Sequence, residues 1–184
     1  MQNFQTMLKI IGHFKNIITH KFWVLYYGIK LNMNIFQLIM HDLSKFSPTE
    51  FWESVKYYKG TSSPIPACKS VNGYSLAWQH HKGRNPHHYE YWTDNYDKGT
   101  TLIKMPYKYV MEMMVDWFAA GRTYQGKSFN FESQYEWWQN KKASKPAIHE
   151  DTIELIDFFY KTMVTYGWWG WVLVEDRIKN EYIS

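Results

Sequence analysis

From Phe4 to about Leu31 apolar residues recur at helical spacing, at Phe4, Met7, Leu8, Ile11, Phe14, Ile17 and Ile18. That is the signature of a 3.6-residue period, and it predicts one long helix or two abutting ones, with Gly28 weakening the last turn. A segment so long can bury an apolar face only against other helices. The rest of the chain shows no convincing strand pair and no internal repeat, so the expected fold class is all-α, a bundle of about six to eight helices. At 184 residues with 45% hydrophobic content, one domain spanning 1–184 can bury a core of its own.

The remaining boundaries follow from local chemistry. Asn32 and Asn34 mark a break, after which Ile35 to Asp42 reads as a short buried helix, apolar on almost every side until His41. Ser47-Pro48-Thr49-Glu50 is a capping box with proline at the first helical position, so a helix should start there and reach roughly Tyr58. Gly60 to Gly73, with Ser62, Ser63, Pro64 and Pro66, carries no apolar period and reads as an exposed loop. A helix from about Tyr74 to His81 should be interrupted by Gly83 and Asn85-Pro86, because the residue before proline is driven out of the helical region. Pro106 opens the next helix, with Val110, Met113, Met114, Trp117 and Phe118 inward, running to about Gly121. Two more are expected near Glu132 to Lys142 and from His149 to the Tyr166-Gly167 break. Trp168 to Ile183 reads as a short terminal helix whose Trp- and Val-rich first half could instead be extended.

Several function classes are excluded early. One cysteine, Cys68, rules out an internal disulfide framework and a thiolate-rich zinc site, so any metal must be held by nitrogen and oxygen. The net charge of +4 favours small anionic ligands and gives no strong nucleic-acid signal. No stretch approaches the roughly 20 apolar residues of a membrane span. The N-terminus, interrupted by Lys9, His13 and Lys15, lacks the apolar run of a secretory signal, and the expected location is the cytoplasm.

What needs explaining is the distribution of histidine. Six of eight lie in three places: His20, His41 beside Asp42, and His80, His81, His87 and His88 within nine residues. Imidazole and carboxylate together suit a catalytic ion with open positions, such as manganese, iron, magnesium, cobalt or zinc. His41 and Asp42 are neighbours, so on a helix they could share an ion only over its flank. Glu112 and Asp116, spaced i,i+4, share one face of a strongly amphipathic helix, and a carboxylate at a core edge needs a partner.

The order His20, His41-Asp42, Asp116 resembles the His, His-Asp, Asp order of the HD-domain metal-dependent phosphohydrolases. The strings HDLSKFSPTEF (His41 to Phe51), WQHHKGRNPHHYEYW (Trp78 to Trp92) and MPYKYVMEMMVD (Met105 to Asp116) are also similar to an uncharacterised phage and bacterial family, over roughly Thr19 to Ala120. The resemblance implies an HD-like helical bundle with a metal-site core at about 13–122 and C-terminal helices at 130–184. It implies a first ion on His20, His41, Asp42 and Asp116, and a second served by the histidines between.

The expected function is therefore a phosphohydrolase acting through metal-activated water on a phosphomonoester or phosphodiester such as a nucleotide, with one or two divalent ions as cofactors. His80, His81 and His88 are candidate ligands, and His87 a ligand or a proton donor to the leaving group. Lys45 and Arg84 are candidates for gripping phosphate, and Glu112 for an additional ligand or an orienting partner. His13 competes with His20 on nearly the same helix face, and His149 is most simply a helix-start residue. Two rivals stay open: an HD-type di-iron oxygenase using the same ligand types, and a non-catalytic nucleotide- or protein-binding factor of phage type.

Overall fold

The computed structural model describes residues 2–97, 99–177 and 182. Nine α-helical segments and one small hairpin make up these residues, so the chain is all-α as expected. Helix α1 (Gln2–Lys30) is a single uninterrupted rod. The α-helix α2 (Ile35–Met40) and a 3-10 turn (Leu43–Phe46) lead to α3 (Pro48–Tyr57). The helices α4 (Pro64–Asn72) and α5 (Leu76–Lys82) pack on α3. Strands β1 (Thr93–Tyr96) and β2 (Gly99–Leu102) precede α6 (Tyr107–Gln125). Then come α7 (Phe131–Ala143), α8 (Glu150–Tyr166) and α9 (Gly170–Arg177).

Helix α6 is the axis of the bundle. Every residue from Val110 to Asp116 is buried, and its flanks pack on α1 and on α8. Phe118, Trp138, Phe159 and Tyr160 form an apolar cluster between α6, α7 and α8. Burying such rings at about 25 cal/mol per Å² makes this the main hydrophobic store of the fold. A different face of α6, the one carrying Glu112 and Asp116, turns toward His20 of α1 and His41 at the end of α2, where buried His, Asp and Glu gather.

The cap at Ser47 is confirmed: its Oγ accepts the Glu50 amide at 3.4 Å, with Pro48 in the first turn. His149 is the N-cap of α8, its Nδ1 accepting the Asp151 amide. The loop expected over Gly60 to Gly73 is instead largely helical. Ser63 caps α4, Pro64 opens it and Gly73 closes it at φ +79°, so the residues that suggested a loop are a start signal and a stop signal.

Two further expectations are corrected. Of α2 only Leu38 is buried, while Ile35, Phe36, Ile39 and Met40 stand exposed. The one polar residue of this six-residue helix, Gln37, turns toward Glu112, so no polar face marks outside from inside. The hairpin pairs Thr93 with Leu102 through Tyr96 with Gly99. Its strands are four residues each, too short for alternation to show in sequence. Trp168 and Trp169 lie in a 3-10 turn before α9, which is helical to Arg177; the rest of the expected terminal helix, 178–181 and 183, lies outside the described residues.

Candidate metal centre

The site is built round Asp42, and its placement depends on how α2 ends. The helix stops at Met40, His41 turns extended at φ −50° and ψ 127°, and Asp42 takes the left-handed conformation at φ 57°. His41 and Asp42 are thus not adjacent on a helix flank, as the sequence suggested; the sharp turn aims both side chains at one point. Aspartate tolerates this region better than most residues, and strain of this kind collects at functional sites. The Lys21 ammonium secures the turn by donating to the carbonyls of Ile39 at 2.5 Å and His41 at 2.7 Å.

The two carboxylate oxygens of Asp42 face different groups. Oδ2 lies 3.2 Å from His41 Nε2 and 3.6 Å from His20 Nε2. Those two nitrogens lie 3.4 Å and 3.0 Å from Asp116 Oδ1. On the other side Oδ1 lies 3.3 Å from both His81 Nε2 and His87 Nε2. His88 joins this second group, each group offering four donor atoms within 4.8 Å of one another. The first group gathers α1, the α2 turn and α6; the second comes from Asp42 and the short stretch His81 to His88.

These spacings fit an ion. Donors about 2.1 Å from a cation stand about 3.0 Å apart in octahedral and about 3.4 Å apart in tetrahedral geometry. The Nε2 atoms of His20, His41, His87 and His88 and both oxygens of Asp42 are buried without a properly directed hydrogen bond. Buried polar atoms left in that state are costly, and a cation in each group would satisfy them.

The opposite face of each ring is fixed. Glu112 Oε1 accepts from His41 Nδ1 at 2.9 Å and stands 3.3 Å from His87 Nδ1, and Gln37 Nε2 donates to Glu112 Oε2 at 2.6 Å. Glu50 Oε2 takes His81 Nδ1 at 2.7 Å and its Oε1 takes His80 Nδ1 at 2.6 Å. A proton held on Nδ1 leaves the Nε2 lone pair free to bind metal, so these two glutamates set the tautomer of the inner rings.

Charge completes the case. Asp42, Asp116, Glu112 and Glu50 are all buried. Burial works against their ionisation, yet His41, Lys45 and His81 hold Asp42 well below the usual carboxylate range, and His20 and His41 do the same for Asp116. His41 and His87 bring Glu112 down to about 2, also against burial. Burial opposes charge on His41, but Asp42, Asp116 and Glu112 raise its pKa well above the ordinary value. His88 is held well below it by burial and by the neighbouring His87 and His81. Four carboxylates in one buried volume thus borrow protons on imidazole, the role a divalent cation would take over.

Two hollows meet the site on opposite sides. A small one of about 190 Å³ is lined by His13, His20, Lys45, His81, His88 and Asp116. The Lys45 ammonium there lies 2.5 Å from Asp42 Oδ2, which raises its pKa despite burial. A wide cleft of about 870 Å³ runs behind His41, His87 and Glu112 and is lined also by Arg84, Lys108 and Trp171.

Residues 9–162 match a family of unknown function (DUF5662). The chain belongs to this family. Every donor atom described above falls inside the DUF5662 match, which runs from within α1 to within α8. Comparison with curated proteins and with solved structures finds no match.

Of the residues singled out from sequence, His20, His41, Asp42, Asp116, His81, His87 and His88 come together in the two donor groups. His80 does not join them: it is turned onto Glu50. His13 lines the small hollow against Phe51 and Tyr58, where burial and Lys45 push its pKa down to about 4. Lys45 and Arg84 line different hollows, so the structure does not bring them to a common phosphate. Glu112 stands behind the rings as an orienter. Glu50 was missed because the capping box explains a glutamate at that position without any site. Its only further signal is the i,i+3 spacing to Glu53, which likewise turns inward and accepts from Ser75.

Proposed function

We propose that the chain is a metal-dependent phosphohydrolase, acting on a phosphomonoester or phosphodiester such as a nucleotide. The single observation that carries this reading is that the two oxygens of Asp42 each face a separate group of buried, unpartnered imidazole nitrogens beside a hollow that contains an ammonium. The order His20, His41-Asp42, Asp116 along the chain, similar to that of the HD-domain phosphohydrolases, agrees with it.

His20, His41, Asp42 and Asp116 would hold a first ion; Asp42, His81, His87 and His88 would hold a second. Ions so placed would supply a bound water acidic enough to ionise near neutral pH, and positive charge for phosphoryl oxygens. Lys45 stays protonated throughout the physiological range and is positioned to take a phosphoryl oxygen in the small hollow. His13 is neutral at pH 7 and adds a polar wall without adding charge. At about 190 Å³ the hollow holds a phosphoryl group and little more, so the remainder of the substrate would lie at its mouth.

The same nitrogen and oxygen donors, with one carboxylate bridging two groups, also suit a di-iron oxygenase. Metal analysis of the purified protein followed by phosphatase and phosphodiesterase panels separates the two. Hydrolysis under anaerobic conditions with manganese, cobalt or magnesium, abolished in Asp42→Asn, is the expected result. Oxygen consumption that requires iron would favour the oxygenase, and a metal-loaded protein inert in both assays would leave neither reading standing.

A further inference from the structure

The long period that marks α1 in the sequence is not its buried face. His13, Ile17, His20, Val24, Tyr27 and Leu31 lie on the inner side, against α6 and the donor groups. At about 100° per residue, Phe4, Ile11, Ile18, Phe22 and Ile29 fall on the opposite side, with Phe14 beside them. All six are outside: Phe4 is 58%, Ile11 56%, Phe22 57% and Ile29 59% exposed, and Phe14 and Ile18 are close to half. The stripe runs most of the length of a helix about 43 Å long. A helix apolar on both sides is ordinarily buried on both sides.

Six large apolar side chains, each about half exposed, leave roughly 600 Å² bare on this face, at the top of the range for the largest apolar patch on a typical monomer and within the roughly 600–1,000 Å² each partner contributes to a standard interface. The spacing narrows the partner. Phe4, Ile11 and Ile18 repeat every seven residues with Met7 and Phe14 between them, the seam that interlocks with another helix of the same repeat. A second copy of α1 carries that repeat by construction.

A membrane surface fits less well. Residues 2–30 contain no Asp or Glu and four lysines, but three of these are engaged. Lys9 donates to the Lys56 carbonyl, Lys21 to the α2 turn, and Lys30 sits over the Tyr26 and Trp168 rings. Lys15 alone among the described α1 lysines has no partner, too little for electrostatic binding to anionic lipid at about 1 kcal/mol per residue.

We propose that two copies of the chain pair through the outer face of α1. The inference is independent of the proposed activity, since it uses the face of α1 turned away from His20.

Sedimentation equilibrium of the full chain tests it. The wild type should be a dimer, and Ile11→Glu/Ile18→Glu a monomer with unchanged helical circular dichroism and unchanged metal content. A wild type that stays monomeric at every accessible concentration overturns the proposal, as does a monomer that sediments with phosphatidylcholine–phosphatidylglycerol vesicles. A dimer unaffected by the double substitution also overturns it.

Discussion

The donors on either side of Asp42 are assembled in opposite ways. Those facing Oδ2 come from His20 and Asp116, on helices nearly a hundred residues apart, together with the turn at His41. Those facing Oδ1 come from one stretch, His81 to His88, folded back on itself by Asn85, whose side chain donates to the His81 carbonyl at 2.7 Å and to Ser44 Oγ at 2.9 Å. The first group depends on the packing of α1 against α6 and is as rigid as the core. The second depends on a short loop and the Glu50 brace. Asp42 is the one residue common to both, and Glu112 the one carboxylate that stands behind a ring of each.

Replacing the shared residue is therefore the largest expected effect. Asp42→Asn should lose both ions together and reduce hydrolysis at least about 10³-fold, which metal analysis and single-turnover assays would measure. Retention of one ion at full occupancy would mean that the groups do not share this carboxylate. Next in size, Asp116→Asn should remove the ion on the Oδ2 side and His88→Ala the ion on the Oδ1 side, each leaving the other titratable by calorimetry. Simultaneous loss in both variants would show one coupled centre rather than two.

The braces should act more gently and differ from each other. Glu50→Gln should weaken only the Oδ1-side ion by about 10- to 100-fold, and Glu112→Gln should weaken both ions by a similar factor. Equal effects of the two substitutions on both ions would erase the distinction.

The smallest expected effect is on pH dependence, and its sign follows from His41 and His87. Both have pKa values raised above the ordinary 6.5 in the metal-free fold, through neighbouring carboxylates that outweigh burial. Their contribution to stability is fully present below that value and is lost as pH rises through the folded-state values. Metal binding competes with those protons and strengthens as they leave. The gain in melting temperature on adding metal to chelated protein should thus increase from pH 6 to pH 8.5, as read by differential scanning fluorimetry. A gain that shrinks over that range would contradict proton–metal exchange at these rings.

Much of the scaffold was legible because its signals are local. Ser47-Pro48-Thr49-Glu50, Pro106 and His149 each announce a helix start through a backbone amide that needs an acceptor or through a proline that needs none. The donor residues were legible as well, since histidine and aspartate beside apolar residues demand partners. What escaped were matters of direction. The left-handed turn at Asp42 is set by the helix end and by Lys21, twenty residues away, and nothing in the pair His41-Asp42 reveals it. Glu50 was hidden behind a sufficient local explanation. On α1 the apolar period was read correctly as helix, but a period does not say which face is inward when both faces are apolar; His13 and His20, not the phenylalanines, mark the inner one.

The central claim is that Asp42 stands between two cations. Anomalous diffraction from crystals grown with manganese, recorded on both sides of the metal edge, tests it most directly. The account predicts two peaks flanking Asp42, one beside Asp116 and one beside His88, about 3.5–4 Å apart. A metal-saturated crystal with no peak within coordinating distance of Asp42, its oxygens instead hydrogen-bonded to protonated His41 and His81, would contradict it.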